Sequence, residues 1–352
     1  MELDGLDGLD GTRGDPMTSV RLQDVAELAG VSMKTVSNVV HDYPHVSTKM
    51  RERVQRAIDE LGYRPNMMGR RLATGRTGLI ALAFADVTLP YFAELGRRVA
   101  SLAEEHGYRV LYEETDSTLE GERAVVSSSE AGLVDGMIFQ PSKMSSAELA
   151  QTRTDIPMVL LGEGAAPVTI DRIMIDNVAA AREATAHLIA LGRKRIAFAG
   201  HEKGGLSRTS ELRIAGYQTA LEEAGLTPDP ALLIPSHAIS PVDSAVAVGA
   251  ALDAGLEFDA IMCRDDLAAI GALRALQERG RRVPDDVAIT GWDNTLMTSV
   301  TFPSITTIAP DMTALASRAL TMLRERIEGL DSMGRHELVG FELVKRESAP
   351  EA

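Results

Sequence analysis

The stretch VAELAGVSMKTVSNVV, residues 25–40, decides the fold of the N-terminal part of the chain. Apolar residues recur at helical spacing on both sides of Gly30, and Ser32 is a good N-cap for a second helix. Gly30 supplies the positive φ that ends the first helix. We therefore predict two short helices, over about 22–29 and 33–40, joined by a tight glycine turn.

A third helix and an excess of basic residues follow this pair. Ser47 is predicted to cap a helix over about 48–61, which Gly62 ends. Residues 17–78 hold ten Lys and Arg against six Asp and Glu, although the whole chain carries a net charge of -15. A basic segment joined to an acidic remainder predicts that this segment meets a polyanion.

Two short helices joined by a turn of three to four residues with Gly are typical of a helix-turn-helix motif. In that motif the N-terminal part of the second helix enters the major groove, so its polar side chains reach base edges. An ordinary helical hairpin is the alternative interpretation of the first two helices. The candidate DNA-binding residues of this region are Ser32, Met33, Lys34, Thr35, Ser37 and Asn38.

From residue 79 onward the pattern changes to alternating strands and helices. The predicted strands lie at about 79–84, 108–114, 135–140, 157–162, 195–200, 260–263 and 286–293. The predicted helices lie at about 91–107, 119–131, 179–192, 210–224, 242–254 and 265–279. Short apolar strands alternating with helices indicate parallel sheets covered by helices, and two such cycles predict two lobes with a ligand cleft between them.

The composition narrows the class of protein. A chain of 352 residues is long enough for two or three domains. The sequence has no run of about 18 apolar residues, so no membrane span is predicted. Residues 1–16 lack the basic and apolar regions of a secretion signal. The single cysteine, Cys263, fits a reducing compartment, and its apolar neighbours predict a buried packing role. We expect a cytoplasmic protein.

Motifs for catalysis or metal binding are incomplete. The stretch HEKGG at 201–205 begins like a zinc-protease motif but lacks the second His four residues on. Asp265 and Asp266 are neighbours at a predicted helix start, so their side chains point apart and suit the helix dipole better than acid–base catalysis. We predict no enzyme activity, no metal and no cofactor.

Residues 20–349 resemble the lactose-repressor-type (LacI/GalR) family of transcription regulators. The N-terminal stretch carries the resemblance, and VDGMIFQP, VPDDVAITGWDN and ELVKRES follow in the order of the family. The resemblance implies an α/β fold class, with an all-α helix-turn-helix head and a bilobed periplasmic-binding-protein-like body of two parallel-sheet subdomains.

The resemblance also implies the domain boundaries. Residues 1–17 are an acidic tail expected to be disordered, 18–64 the DNA-binding head, 65–77 a hinge helix or linker, and 78–352 the effector-binding and dimerisation domain. Within that domain the expected N-subdomain covers about 78–191 and 310–330, and the C-subdomain about 192–308 and 335–349.

A homodimer or larger assembly that binds palindromic double-stranded operator DNA is implied as well. Met33 and Lys34 occupy the main base-reading positions. Asn38 stands where relatives often have Arg, which predicts a different operator preference because Asn pairs with adenine and Arg with guanine. The candidate phosphate-contacting residues of the third helix are Thr48, Lys49, Arg51 and Arg53.

The stretch NMMGRRLATG, residues 66–75, resembles the hinge helix of the family, which lies in the minor groove. Asn66 can cap this helix, Arg70 is a further DNA-binding candidate, and Leu72 matches the leucine that wedges into the central base step. A polar linker with one buried leucine is the alternative. Gly69 stands where Ala is usual, so we expect Gly69→Ala to tighten operator binding and weaken induction in a mobility-shift titration.

By the pattern of the family, six residues are expected to bind an effector in the cleft. Tyr91 and Phe92 offer a stacking face, and Arg213 holds hydroxyls or carboxylates. Structural ion pairing is the alternative for Arg213 and Asp293. The candidate effector-binding residues are Tyr91, Phe92, Arg213, Asp265, Trp292 and Asp293.

Arg264 departs from the family, since many sugar-responsive relatives have Asn at this position. The arginine either changes the hydrogen-bonding pattern offered to the effector or forms an internal salt bridge with Asp265 and Asp266. The effector is nevertheless expected to be a sugar or oligosaccharide.

We predict a ligand-responsive transcription regulator, a dimeric repressor that a sugar-like effector releases from its operator. A corepressor-dependent regulator and a bilobed solute-binding protein without DNA function are the alternatives. The basic head and the absence of a secretion signal favour the regulator over the solute-binding protein.

Overall fold

A computed structural model of the chain describes residues 20–40, 43–63, 76–130, 132–151, 156–164 and 166–351. The chain divides into two compact units between Thr77 and Gly78, here called the head and the body. The predicted acidic tail and the predicted hinge helix lie outside the described residues. No helix in the described part is both long and apolar enough to cross a bilayer.

The head consists of three helices, α1 (Leu22–Ala29), α2 (Met33–Val40) and α3 (Thr48–Leu61). Gly30 has φ 60°, in the left-handed region, and its N–H donates to the Glu27 carbonyl, so the predicted glycine turn is confirmed. The side chains that form the core of the head are Val25, Ala26, Ala29, Val36, Val39, Val54, Ala57 and Tyr63.

The two predicted serine caps differ. The Ser32 Oγ accepts a hydrogen bond from the Thr35 N–H at 3.1 Å, so Ser32 caps α2 as predicted. Ser47 occupies the N-cap position of α3, as predicted, but its side chain makes no cap hydrogen bond. The position of the predicted cap is therefore confirmed, and the predicted hydrogen bond is wrong.

The first lobe of the body is built on a six-stranded sheet. Its strands are β1 (Leu79–Phe84), β2 (Arg109–Glu114), β3 (Gly136–Phe139), β4 (Met158–Leu161), β5 (Asp171–Ile175) and β11 (His336–Val339). They lie in the order β11-β5-β4-β3-β1-β2, and every neighbouring pair is parallel.

The second lobe repeats this plan. Its strands are β6 (Ile196–Glu202), β7 (Leu233–Ser236), β8 (Ala260–Cys263), β9 (Ala288–Trp292), β10 (Thr306–Pro310) and β12 (Phe341–Val344). The order is β12-β10-β9-β8-β6-β7, and only the pairing of β12 with β10 is antiparallel among these strands.

Helices cover the sheets, as the alternating pattern predicts. The α-helices of the body are Pro90–Glu105, Leu119–Glu130, Ser146–Gln151, Asn177–Ala190, Arg208–Glu223, Pro241–Asp253, Asp266–Glu278, Leu296–Val300 and Met312–Ile327. A short 3-10 helix covers Pro230–Leu232. Cys263 is fully buried in β8, which confirms its predicted packing role.

The chain passes between the lobes at different residues from those predicted. Helix Asn177–Ala190 packs in the core of the second lobe, although it was assigned to the first, because its Ala and Leu side chains contact β6 and β8. Strand His336–Val339 pairs with β5 of the first sheet, although 335–349 was assigned to the second lobe. Gly340 alone separates this strand from β12, so the chain changes sheets within one residue.

Candidate functional site

The outer face of α2 presents the candidate base-reading residues. Ser32, Met33 and Lys34 are exposed, and 53% of the Met33 side chain is accessible to solvent. Ser37 and Asn38 lie one turn further along and are half-buried. Val36 and Val39 are buried against the other helices, so the polar residues face away from the core of the head.

Two predicted DNA contacts also have structural roles in the head. The Arg51 guanidinium donates to the Tyr43 carbonyl at 3.1 Å, and the Arg53 guanidinium donates to the Gly30 carbonyl at 3.3 Å. Arg53 thus supports the turn between α1 and α2 from the third helix. Thr48 and Lys49 at the start of α3 are exposed.

Thr35 is half-buried, and its hydroxyl lies 2.9 Å from the Ser32 hydroxyl. This contact joins two of the candidate side chains at the start of α2. The hinge candidates Asn66, Arg70 and Leu72, together with Gly69, lie outside the described residues.

A cavity of about 380 Å³ lies between the two lobes of the body. It opens beyond the carboxyl ends of the parallel strands, where ligands of open α/β sheets bind. All six predicted effector-binding residues line it: Tyr91, Phe92, Arg213, Asp265, Trp292 and Asp293.

Arg213 lines this cleft from helix Arg208–Glu223 and is buried. Its Nε donates to the Asn177 Oδ1 at 2.8 Å, and its Nη1 donates to the Arg264 carbonyl. Its Cζ lies 3.7 Å from the centroid of the Trp292 ring, in a cation–π contact. Burial lowers the pKa of Arg213, and the nearby Asp293 carboxylate opposes that shift.

Trp292 and Asp293 follow one another at the end of β9. Trp292 is fully buried, and its indole Nε1 has no hydrogen-bond partner among the residues that the structure describes. Asp293 has φ 107°, an unusual conformation for a residue with a side chain and one that occurs at ligand-binding sites. Burial raises the pKa of Asp293 well above its ordinary value, and Arg213 opposes the rise.

The two aromatic candidates differ in role. Phe92 stacks on Phe84 with 5.0 Å between ring centroids and is only 8% exposed, so it belongs mainly to the core. Tyr91 is half-buried beside it, with 5.2 Å between the two ring centroids. Burial, with Asp293 and Glu163 nearby, raises the pKa of the Tyr91 hydroxyl above its ordinary value.

Arg264 forms an internal salt bridge, but with only one of the two predicted partners. Its Nη1 lies 2.9 Å from Asp265 Oδ2, and its Nη2 lies 3.3 Å from Glu202 Oε1. Asp265 also accepts from the Ala268 N–H at 2.8 Å, where it caps a helix. Both side chains therefore have partners within the protein before any ligand arrives.

Asp266 contacts a different set of residues. Its carboxyl accepts hydrogen bonds from the Thr295 N–H at 2.7 Å and the Thr307 hydroxyl at 2.7 Å. Burial raises its pKa to about 7, and these hydrogen bonds act in the opposite direction. It joins three elements of the second lobe.

Sequence reasoning missed Glu163 as a cleft residue. Glu163 lies just after β4 and lines the same cavity as Arg213. A carboxylate placed directly after a buried parallel strand is a signal that could have found it. Its contacts, described below, reach the second lobe.

Two family models match the chain. The one described as bacterial regulatory proteins, lacI family, matches residues 21–66, which is the head. The one described as a periplasmic binding protein-like domain matches residues 185–349 of the body. The first match lies within the head, and the second covers part of the body.

Relatives are similar along nearly the whole chain. The HTH-type transcriptional regulator RegA of Clostridium saccharobutylicum is 30% identical over 328 residues, which are 93% of this chain and 98% of that protein. The Lac repressor dimer bound to operator and the anti-inducer ONPF is 29% identical, covers 95% of this chain and 100% of that chain, and has a TM-score of 0.82.

A third similar structure is that of the transcriptional regulator CelR in complex with cellobiose. It is 27% identical, covers 94% of this chain and 99% of that chain, and has a TM-score of 0.70. The similarity to these regulators extends across both the head and the body. The chain therefore belongs to the lacI family of bacterial regulatory proteins and is a DNA-binding transcriptional regulator.

Proposed function

We propose that this regulator is a homodimeric repressor, and that a small, uncharged, hydroxyl-rich effector in the cleft releases it from a palindromic operator. One observation carries the proposal: Trp292 and Asp293 both line the cavity, and the buried Trp292 Nε1 donor has no partner among the described residues. A sugar hydroxyl can accept from the indole N–H while a second hydroxyl donates to the carboxylate.

The charges of the cleft favour a sugar over an anion. Arg213 and Arg264, the least exposed cations that line the cleft, already bind acceptors of the protein. A phosphate or carboxylate placed there must compete with those contacts and lie close to Asp293. The cavity volume falls in the range of about 300–1,000 Å³ that is usual for small-molecule sites. The CelR–cellobiose complex supports a sugar as well.

In the head, we assign base contacts to the exposed N-terminal part of α2, chiefly Met33 and Lys34. Phosphate contacts fall to Thr48 and Lys49, which are exposed, and to Arg51 in addition to its contact with Tyr43. Asn66, Arg70 and Leu72 are proposed to contact the minor groove. Phosphate contacts fix the position of the head, and base contacts select the sequence.

A set of exposed apolar side chains in the second lobe supports the homodimer. We propose that these side chains, on helix Pro241–Asp253 and around helix Leu296–Val300, form one surface, which we call the Phe302 face. Gln277 Nε2 donates to the Phe302 carbonyl at 2.8 Å, which joins Phe302 to helix Asp266–Glu278. Exposed apolar groups in such number mark an interaction surface. The face consists of Val242, Val246, Leu296, Met297, Val300 and Phe302.

The test is retention of genomic DNA fragments by the full chain over a salt series, followed by a sugar panel. We expect retention of a few fragments that falls steeply with salt, because phosphate contacts release counterions. Lys34→Ala should weaken retention, whereas Lys203→Ala, an exposed lysine of the body, should not. Equal retention of all fragments, or none at low salt, contradicts the proposal.

A further inference from the structure

Glu163 makes hydrogen bonds that cross the cleft. It lies between β4 and β5 of the first lobe, and its Oε2 accepts from the Thr209 hydroxyl at 2.8 Å. Its Oε1 accepts from the Asn177 Nδ2. Thr209 and Asn177 both lie on helices of the second lobe, so one carboxylate joins the two lobes at the cavity.

Asn177 transmits this contact to the effector site. Its side-chain amide donates to Glu163 and accepts from the Arg213 Nε, so each end of the amide has a partner of the right kind. Arg213 in turn stacks on Trp292. A continuous chain of contacts therefore runs from a first-lobe carboxylate to Arg213 and Trp292, two buried side chains of the second lobe.

The loop that carries Glu163 is itself held in place. Gly162 before it has φ 83°, which favours glycine at that position. The Arg172 Nη1 donates to the Gly164 carbonyl at 2.9 Å from strand β5. The carboxylate is thus presented to the second lobe from a fixed position on the first sheet.

From these contacts we infer that Glu163 is a cross-cleft positioning residue, which holds the two lobes together without effector and orients Arg213 through Asn177. The proposed effector shares the cavity with Glu163 and contacts both lobes. The Glu163 contacts and the effector therefore favour the same arrangement of the two lobes. The consequence for effector binding rests on the proposed function, whereas the joining of the lobes does not.

The experiment measures the distance between the lobes in the full chain without DNA or effector. Nitroxide labels at Lys143→Cys and Lys203→Cys lie on exposed loops of the first and second lobes. The fully buried Cys263 does not compete for the label. Pulsed electron double resonance then gives the interlobe distance distribution for each variant.

Thr209→Val removes the hydroxyl that crosses the cleft and keeps the shape of the side chain. We expect its distance distribution to shift to longer values and widen, with the ratio of joined to separated lobes falling about tenfold, since the lost bond involves a charged group. Thr209→Ser keeps a hydroxyl and should restore the distribution of the parent chain.

Glu163→Ala removes both contacts from the other lobe and provides a second variant. It should widen the distribution at least as much, and the emission of Trp292, the single tryptophan, should shift because Asn177, which orients Arg213, loses its Glu163 partner. Unchanged distributions for Thr209→Val and Glu163→Ala overturn the inference. So does a Thr209→Ser chain that behaves like Thr209→Val, or an unchanged emission of Glu163→Ala.

Neither readout uses operator or sugar. A failure of the proposed function would appear as absent DNA retention with the distance shifts intact. A failure of this inference would appear as unchanged distances in a protein that still binds DNA.

Discussion

At the scale of single residues, Arg213 shows how the cleft is organised before a ligand enters it. Its guanidinium satisfies the Asn177 side chain and the Arg264 carbonyl and covers the Trp292 ring. Removing it leaves buried acceptors without donors, and such groups destabilise a fold more than the bond itself stabilises it.

We expect Arg213→Met to lower the free energy of unfolding by about 1–3 kcal/mol in urea, because the buried Asn177 Oδ1 and the partly buried Arg264 carbonyl lose this donor. Arg208→Met on the same helix is the matched control. Arg208 is exposed, and in the part of the chain that the structure describes its ion pair is with the exposed Glu211, so its loss should change stability little. Equal effects of the two variants would contradict this role of Arg213.

Asp266 predicts a pH dependence of stability. Its pKa is raised from 3.8 to about 7 in the folded chain, chiefly by burial, with Asp265 adding to the rise. The folded state therefore holds the proton more tightly than the unfolded state. The stability that this carboxyl contributes is present below pH 4 and is lost as the pH rises toward 7.

The measurement compares the parent chain with Asp266→Asn, which cannot ionise, in urea unfolding at pH 5 and pH 8. Between these values the parent should lose at least about 1 kcal/mol relative to the variant, since one unit of pKa shift corresponds to 1.36 kcal/mol. A stability difference that does not change with pH is the contrary result.

Sequence reasoning found the cleft residues well but not their contacts. The pattern of the family supplied the six predicted effector residues, and all six line one cavity. It could not assign Phe92 to the core or pair Arg264 with Glu202, and it missed Glu163. Those contacts join segments that are distant in sequence, so local sequence patterns do not predict them.

At the scale of helices and strands, the two serine caps of the head give a matched pair. Ser32 accepts from the Thr35 N–H, whereas Ser47 makes no cap bond with its side chain. Loss of a working cap costs about 1 kcal/mol of helix stability, and loss of an unused one costs little.

We therefore expect Ser32→Ala to speed amide hydrogen exchange in α2 about fivefold, which corresponds to the loss of a working cap. Ser47→Ala should leave exchange in α3 nearly unchanged. Mass spectrometry of peptides from the full chain without DNA reads both helices at once. Similar acceleration in the two variants would show that cap geometry does not control these helices.

The elements that sequence patterns predicted best have continuous apolar runs. LIALAF and AIMC match strands Leu79–Phe84 and Ala260–Cys263 residue for residue, and the three head helices match as well. Strands Asp171–Ile175 and His336–Val339 were missed. Both alternate between more and less buried positions and are short, so neither forms the apolar run expected of a central strand.

At the scale of the whole molecule, the Phe302 face carries the proposed dimer. Phe302 is 86% exposed in the single chain, and an exposed aromatic ring within an apolar patch indicates an interaction surface. We expect Phe302→Asp to shift the protein toward monomer in sedimentation equilibrium, because burying an unpaired charge in the interface is unfavourable.

The control for this variant is Val168→Asp. Val168 is 65% exposed on the first lobe, outside the Phe302 face, so the substitution should leave the dimer intact. A Phe302→Asp protein that stays dimeric would contradict the proposal that the Phe302 face is the dimer interface. Loss of the dimer should also weaken DNA retention, since a palindrome offers two half-sites to two heads.

The boundaries of the lobes were the part of the molecular plan least predictable from sequence. The chain passes between the lobes near Asp176, between Pro310 and Met312, and at Gly340. The positions of these crossings depend on which sheet each helix or strand packs against. The sequence patterns of helices and strands are the same in both lobes, so they do not show to which lobe an element belongs. Only tertiary contacts distinguish them.

We propose that occupancy of the cleft changes the affinity of the head for DNA. The most direct measurement titrates the parent chain with a sugar that changes Trp292 emission, with and without its retained DNA fragment. We expect sugar and DNA to alter each other's dissociation constant by one common factor, about 5–150-fold for a coupling of 1–3 kcal/mol. A sugar that fills the cleft and leaves DNA affinity unchanged would contradict it.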